Sequence, residues 1–153
     1  MDKIVYAIDA SSLIEAAKNY NLKLSVFKPI WDKLAEMFEE GTLISSIEIF
    51  EELKDDDLVE WIKPYKKCFI NLTQSIQQNV TEVLRENSRL INLKTNKKSS
   101  SNGDPFLIAT AIEHHAIVVT NESMKSEIKI PAICKKFDLE SMNLNQFIAE
   151  IMK

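Results

Sequence analysis

The residues of this 153-residue chain best placed to do chemistry are carboxylates that follow short apolar runs or open helical ones. Asp9 comes directly after KIVYAI, and Asp104 opens DPFLIATAIEHH. Glu122 stands just past the run AIVV and Thr120, and Glu48 and Glu52 follow the short run TLIS. Each has a modest explanation taken alone. An Asp after a strand often serves as a turn or cap residue, Asp104 suits a helix cap, and Glu122 would pass for a surface acid. Their joint placement is the stronger signal. Carboxylates gathered in one cleft repel and raise each other's pKa, so such a group is held together by cations. Carboxylate oxygens suit hard ions such as Mg²⁺ or Mn²⁺.

The elements that must position these acids alternate in type. KIVYAI, TLIS and AIVV are short and apolar enough to be buried strands of a parallel sheet. Ser11 and Ser12 are good caps for a helix over SSLIEAAKNY. Ile30, Leu34, Met37 and Phe38 have helical spacing over residues 27–40, with Gly41 as the stop. Ser46 opens the next helix, on which Glu48 and Glu52 share a face while Glu51 points about 100° away. Residues 55–67 are charged. Residues 70–93 carry an apolar stripe from Leu72 to Leu90 and read as a helix, followed by the polar, basic loop KTNKKSSSN. Pro105 fits a first helical turn. Pro131 starts another helix and residues 144–152 a last one. Strands alternating with helices predict a single α/β domain, a mostly parallel sheet flanked by helices in three layers, with a helical insertion at about 55–100. Sites in such sheets form outside the carboxyl ends of the strands, where these acids fall.

Taken in order, these segments resemble those of PIN-domain ribonucleases, a fold of many toxins of toxin–antitoxin pairs. IVYAIDASSLI resembles the first-strand motif and LISSIEIFEEL the second, a strand end with serines followed by Glu-Leu. DPFLIATA resembles the third motif and IVVTNE the fourth. With the stretch IKIPAICKKFDL, the chain resembles most a PIN-like subgroup, DUF4411. The resemblance implies Mg²⁺- or Mn²⁺-dependent hydrolysis of RNA. Asp9 and Asp104 would hold the metal, joined by Glu52 and Glu122, with Glu48 as the alternative second acid. Ser11, Thr120 and Asn121 would orient carboxylates or waters, and Lys94, Lys97 and Lys98 would contact phosphates, although the same lysines also suit a solvated loop. An antitoxin partner and a homodimer follow from the same resemblance. The fourth motif more often carries Asp where this chain has Glu122, which leaves open a second reading: a PIN-like protein-binding module with weak or no catalysis.

Composition narrows the field further. Hydrophobic residues make up 45% and charged residues 27%, a globular balance. The net charge of −4 excludes a generic basic nucleic-acid coat, and four site carboxylates would account for all of it. No apolar run approaches the ~18 residues that span a bilayer. Asp9 interrupts the first apolar stretch, unlike a secretory leader, so a cytoplasmic protein is expected. Cys68 and Cys134 lie far apart, with no CxxC or His at zinc spacing, and read as two buried thiols. Phosphatase and receiver chemistry is disfavoured. The former wants a second Asp where Ser11 stands, and the latter wants adjacent acids that the chain lacks.

Overall fold

The computed structural model describes residues 3–86, 104–121 and 130–153. The apolar run before Asp9 forms β1 (Tyr6–Ile8), buried along its whole length. Helix α1 (Ala10–Asn19) follows at once, and its cap is Asp9 rather than Ser11 or Ser12. The reason is reach: an extended Asp9 places its carboxylate on the Ser12 N–H at 2.7 Å, so the helix begins earlier than the serines suggest.

Helix α2 (Lys28–Glu40) ends at Gly41, which adopts φ 80° and returns its N–H to the Met37 and Phe38 carbonyls. A left-handed residue at this place closes the helix and turns the chain into the sheet. Strand β2 (Leu43–Ser46) then leads to α3 (Ile47–Glu52) and α4 (Asp56–Ile62). Asp55 caps α4 through the Leu58 N–H, 2.9 Å away. A 3₁₀ segment, Lys63–Cys68, delivers the chain to β3 (Phe69–Ile70). Helices α5 (Gln74–Glu86) and α6 (Asp104–His114) come next, then β4 (Ile117–Val119), α7 (Ile130–Lys136), β5 (Ser141–Met142) and α8 (Leu144–Ile151).

All five strands are parallel, in the order β3-β2-β1-β4-β5. The expected mostly parallel sheet is thus wholly parallel. Two expectations change. Residues 69 and 70 pair with Ser45 and Ser46, so the helix expected from residue 70 starts at Gln74. The stretch read as a helical insertion accordingly supplies an edge strand of the central sheet.

Because β1 is paired on both sides, the chain first winds outward through β2 and β3, then crosses back to β4 and β5. Right-handed crossovers in opposite directions place helices on opposite faces. Helix α6 packs on β1, β2 and β4 and against α5 and α7, whereas α2 packs on β2 and α8 against α1. A smaller cluster of Ile76, Val80 and Ala109 lies between α5 and α6, and the main core packs the helices onto the sheet. Ile8, Leu13, Phe38, Leu107, Val118 and Phe147 are among its fully buried members. Each such side chain contributes roughly 1.5–3 kcal/mol of transfer free energy. No helix among the described residues is long and apolar enough to cross a membrane.

Candidate metal centre

The strand order reverses direction between β1 and β4, and their carboxyl ends lie side by side: Ile8 is in register with Val119, and the Asp9 N–H donates to the Val119 carbonyl at 3.1 Å. At such a switch point the connections diverge and leave a crevice. Asp9 and Thr120, the first residues past the two strands, are both only 2% exposed.

The Asp9 carboxylate is oriented from several sides. Its Oδ1 accepts the Ser12 N–H at 2.7 Å and its Oδ2 the Ser11 hydroxyl at 2.9 Å. Thr120 supplies a further side-chain hydrogen bond from β4. The Ser12 hydroxyl lies near both this carboxylate and the Val119 carbonyl, 3.3 Å away, and its one proton serves one of them at a time. Burial pushes the Asp9 carboxyl above its ordinary pKa, while the Thr120, Ser12 and Ser11 hydrogen bonds pull it back.

Glu48 and Glu52 lie on α3, in its first turn and at its last residue, and both are half-buried. This helix starts at the carboxyl end of β2 and packs against α1 and α6. Asp104 is the first residue of α6. Since α6 leads into β4 by a crossover and runs back along the sheet, its first residue lies at the carboxyl edge with Asp9. The Asp104 side chain, Glu122, Lys94, Lys97 and Lys98 lie outside the described residues. Among those described, no three acids, histidines or cysteines are grouped tightly enough to hold an ion. Two of the four expected segments, those of Asp9 and α3, can therefore be followed to their side chains at this edge. His114 and His115 are exposed at the opposite end of α6, about 15 Å from its start.

Asn121 is engaged elsewhere. Its Oδ1 accepts the Leu144 N–H at 3.0 Å, which ties the end of β4 to the start of α8. The two serines that close β2 play opposite parts. The buried Ser45 hydroxyl donates to the Ile8 carbonyl at 2.7 Å and fixes the backbone just before Asp9. Ser46 is 1% exposed, and its hydroxyl makes no hydrogen bond among the described residues. The only sequence cue was a pair of small polar residues closing an apolar run.

Of the expected metal ligands, Asp9 is the one whose surroundings are fully described, and its carboxylate oxygens are of a type that suits a hard cation. Asp9 is a buried carboxylate, and among the described residues no lysine, arginine or histidine pairs with it; the ion pairs found there lie on the surface. A buried charge with hydrogen bonds but no counter-ion is costly, and an oxygen-seeking divalent ion would supply what is missing. Thiol chemistry is not favoured here. Cys68 and Cys134 are buried and free, and burial raises the Cys68 thiol pKa while its Sγ–H donates to the Phe38 carbonyl at 3.0 Å.

A wholly parallel sheet with a buried acid at its switch point defines an α/β protein whose candidate site lies at the carboxyl edge. Its sequence places it more narrowly: residues 6–152 match the family described as Domain of unknown function (DUF4411), and the chain belongs to that family. No curated protein matches it.

Proposed function

We propose that the chain is a metal-dependent endoribonuclease of the PIN-like type. The observation that carries this reading is Asp9, a buried, hydrogen-bonded carboxylate at the sheet's switch point with no cationic partner among the described residues. In this reading Asp9 and Asp104 hold Mg²⁺ or Mn²⁺ together with Glu52, or Glu48 in its place, and with Glu122. A bound divalent ion supplies a water of lowered pKa and neutralises phosphate charge. The chain's own work is positioning. Ser11 and Thr120 hold the Asp9 carboxylate in one orientation, and Ser45 holds the strand beneath it. The buried thiol at Cys68 and the remote histidines leave the acids as the groups suited to the chemistry. The likeness to PIN-domain toxins extends the proposal to a toxin paired with an antitoxin and acting on RNA in the cytoplasm, as a homodimer.

The test is to incubate the pure protein with RNA in Mg²⁺ or Mn²⁺ and in chelator, alongside Asp9→Asn and Asp104→Asn. Cleavage that needs metal and is lost in both variants is expected. Cleavage that persists in chelator or survives both substitutions refutes the reading. A folded chain that cleaves no RNA in either metal would instead favour a PIN-like protein-binding module, to which Glu122 in place of the usual Asp gives some weight.

A further inference from the structure

The carboxyl end of β4 is tied to the segment that starts α8 by two bonds. The Thr120 N–H donates to the Met142 carbonyl at 2.9 Å, and the Asn121 Oδ1 accepts the Leu144 N–H at 3.0 Å, across 23 positions of chain. The second bond meets a need of the helix. The first N–H groups of a helix have no acceptor within it. Asn143 caps α8 locally, but its Oδ1 takes the Gln146 N–H at 2.8 Å, at the third residue of the helix. The N–H of the first residue, Leu144, is met by Asn121 from the end of the neighbouring strand.

The two partners are held with different firmness. Helix α8 is anchored: Leu144 and Phe147 are buried, and the Phe147 ring lies 5.0 Å from that of Tyr6 on β1. Asn121 is exposed and stands two residues past the end of β4. Strand ends are where a ladder opens first. Between them is Thr120, the next residue after Val119 as Asp9 is the next after Ile8, so the two lie side by side on one face of the sheet. The Thr120 side chain accordingly reaches the Asp9 carboxylate. A tie from the strand end to an anchored helix thus fixes the residue that orients the acid.

We infer that Asn121 is a positioning residue: its amide oxygen clamps the end of β4 to α8 and so holds the Thr120 hydroxyl against Asp9. Asn121 acts at one remove, through Thr120 rather than by touching an ion or a water. Its effect on rate rests on the ribonuclease reading, whereas the clamp itself does not. One neutral hydrogen bond adds little to global stability, while a displaced orienting group is costly in rate, so the two readouts separate.

The test has two arms. In chelator, amide hydrogen exchange is followed residue by residue in the native chain, Asn121→Leu and Asn121→Asp. Leucine keeps the size and loses the acceptor, and aspartate keeps an oxygen for the Leu144 N–H. Asn121→Leu should speed exchange at Thr120 and Asp9 roughly fivefold, leave Ala7 within β1 unchanged, and lower the melting temperature by less than about 4 °C. Asn121→Asp should exchange as the native chain does. Unchanged exchange at Thr120 and Asp9 in Asn121→Leu, equal acceleration in both variants, or acceleration that includes Ala7 overturns the clamp.

In the second arm, RNA cleavage in Mn²⁺ is measured for Asn121→Leu, Thr120→Val and the double variant. Asn121→Leu should slow cleavage roughly tenfold. The double variant should be no slower than Thr120→Val, because both changes act through one hydroxyl. Losses that multiply overturn the positioning role. A chain that cleaves no RNA removes the ribonuclease reading and leaves the clamp to be decided by exchange, whereas cleavage with unchanged exchange removes the clamp alone.

Discussion

The two sides of β1 differ in what they do with their side chains. Toward β2 and β3, the sheet is covered by an aromatic cluster. Trp31 meets Trp61 edge-on at 4.9 Å, and Phe38 stacks on Tyr65 at 5.4 Å and on Phe69 at 5.8 Å. Lys66 lies 5.3 Å over the Phe50 ring. Toward β4 and β5, the strand ends carry Thr120, Asn121, Ser141 and Asn143, and Asp9 is buried where the two regions meet. The first region gains apolar burial and ring contacts. The second buries a carboxylate and relies on hydrogen bonds to hold it. Both sides bury core residues, Phe147 and Val118 on the second as Phe38 and Phe69 on the first, and the contrast teaches that a costly acid can be kept where strand ends supply hydrogen bonds.

The sharpest way to break this comparison is to remove the aromatic anchor. Phe38→Ala should lower unfolding free energy by about 3–5 kcal/mol in a denaturant titration, and the cleavage rate per folded molecule should hold. A matching loss of rate in the folded fraction would show that the two regions are coupled.

The complementary change is Asp9→Asn, which keeps the cap on Ser12 and removes the charge. Cleavage should fall by more than about a hundredfold, since even groups that orient metal ligands are worth 10–100-fold. Stability should move the other way. Burial raises the folded-state pKa of Asp9, so the protonated acid favours folding. That contribution is present in full below the unfolded value of about 3.9 and is lost as pH rises through the raised folded value. In chelator, the variant should therefore melt above the native chain, by a margin that widens from acid toward neutral pH. A margin that is absent or shrinks would count against a strained acid.

A smaller effect is expected of Thr120→Val, which removes the hydrogen bond from β4 to Asp9: roughly 10–100-fold in rate, read from initial velocities. Smallest is Ser46→Ala. A buried hydroxyl without a partner carries its desolvation cost, so its removal should raise stability by about 1 kcal/mol. A loss of stability would mean that the hydroxyl has a partner in solution.

Much of this was legible in the sequence where a residue's neighbours along the chain decide its state. Gly41 stops α2 because a left-handed residue is needed there, and the helix expected over residues 144–152 is found as Leu144–Ile151. KIVYAI and AIVV contain their strands because each carries an uninterrupted apolar run, Ile4–Ile8 and Ala116–Val119. Strands β3 and β5, at two residues each, carry no period that a sequence could display. Phe69–Ile70 and Ser141–Met142 are strands because β2 and β4 offer them hydrogen bonds. For the same reason Ile70 reads from sequence as the start of a helix. At the site, Asp9 stood out by its place after β1, but the bond from Ser45 to Ile8 spans two strands and was invisible until they were paired. The committed oxygens of Asn121, Asn143 and Gln146 were hidden in the same way: amide orientation follows from what each side chain touches.

The central pairing of β1 with β4 joins residues more than a hundred positions apart, the Asp9 N–H meeting the Val119 carbonyl. During synthesis, the strand that flanks Asp9 is made more than a hundred residues after it. Until then the acid has no β4 beside it, so the crevice is a late product of folding, closed by a contact of very long loop length.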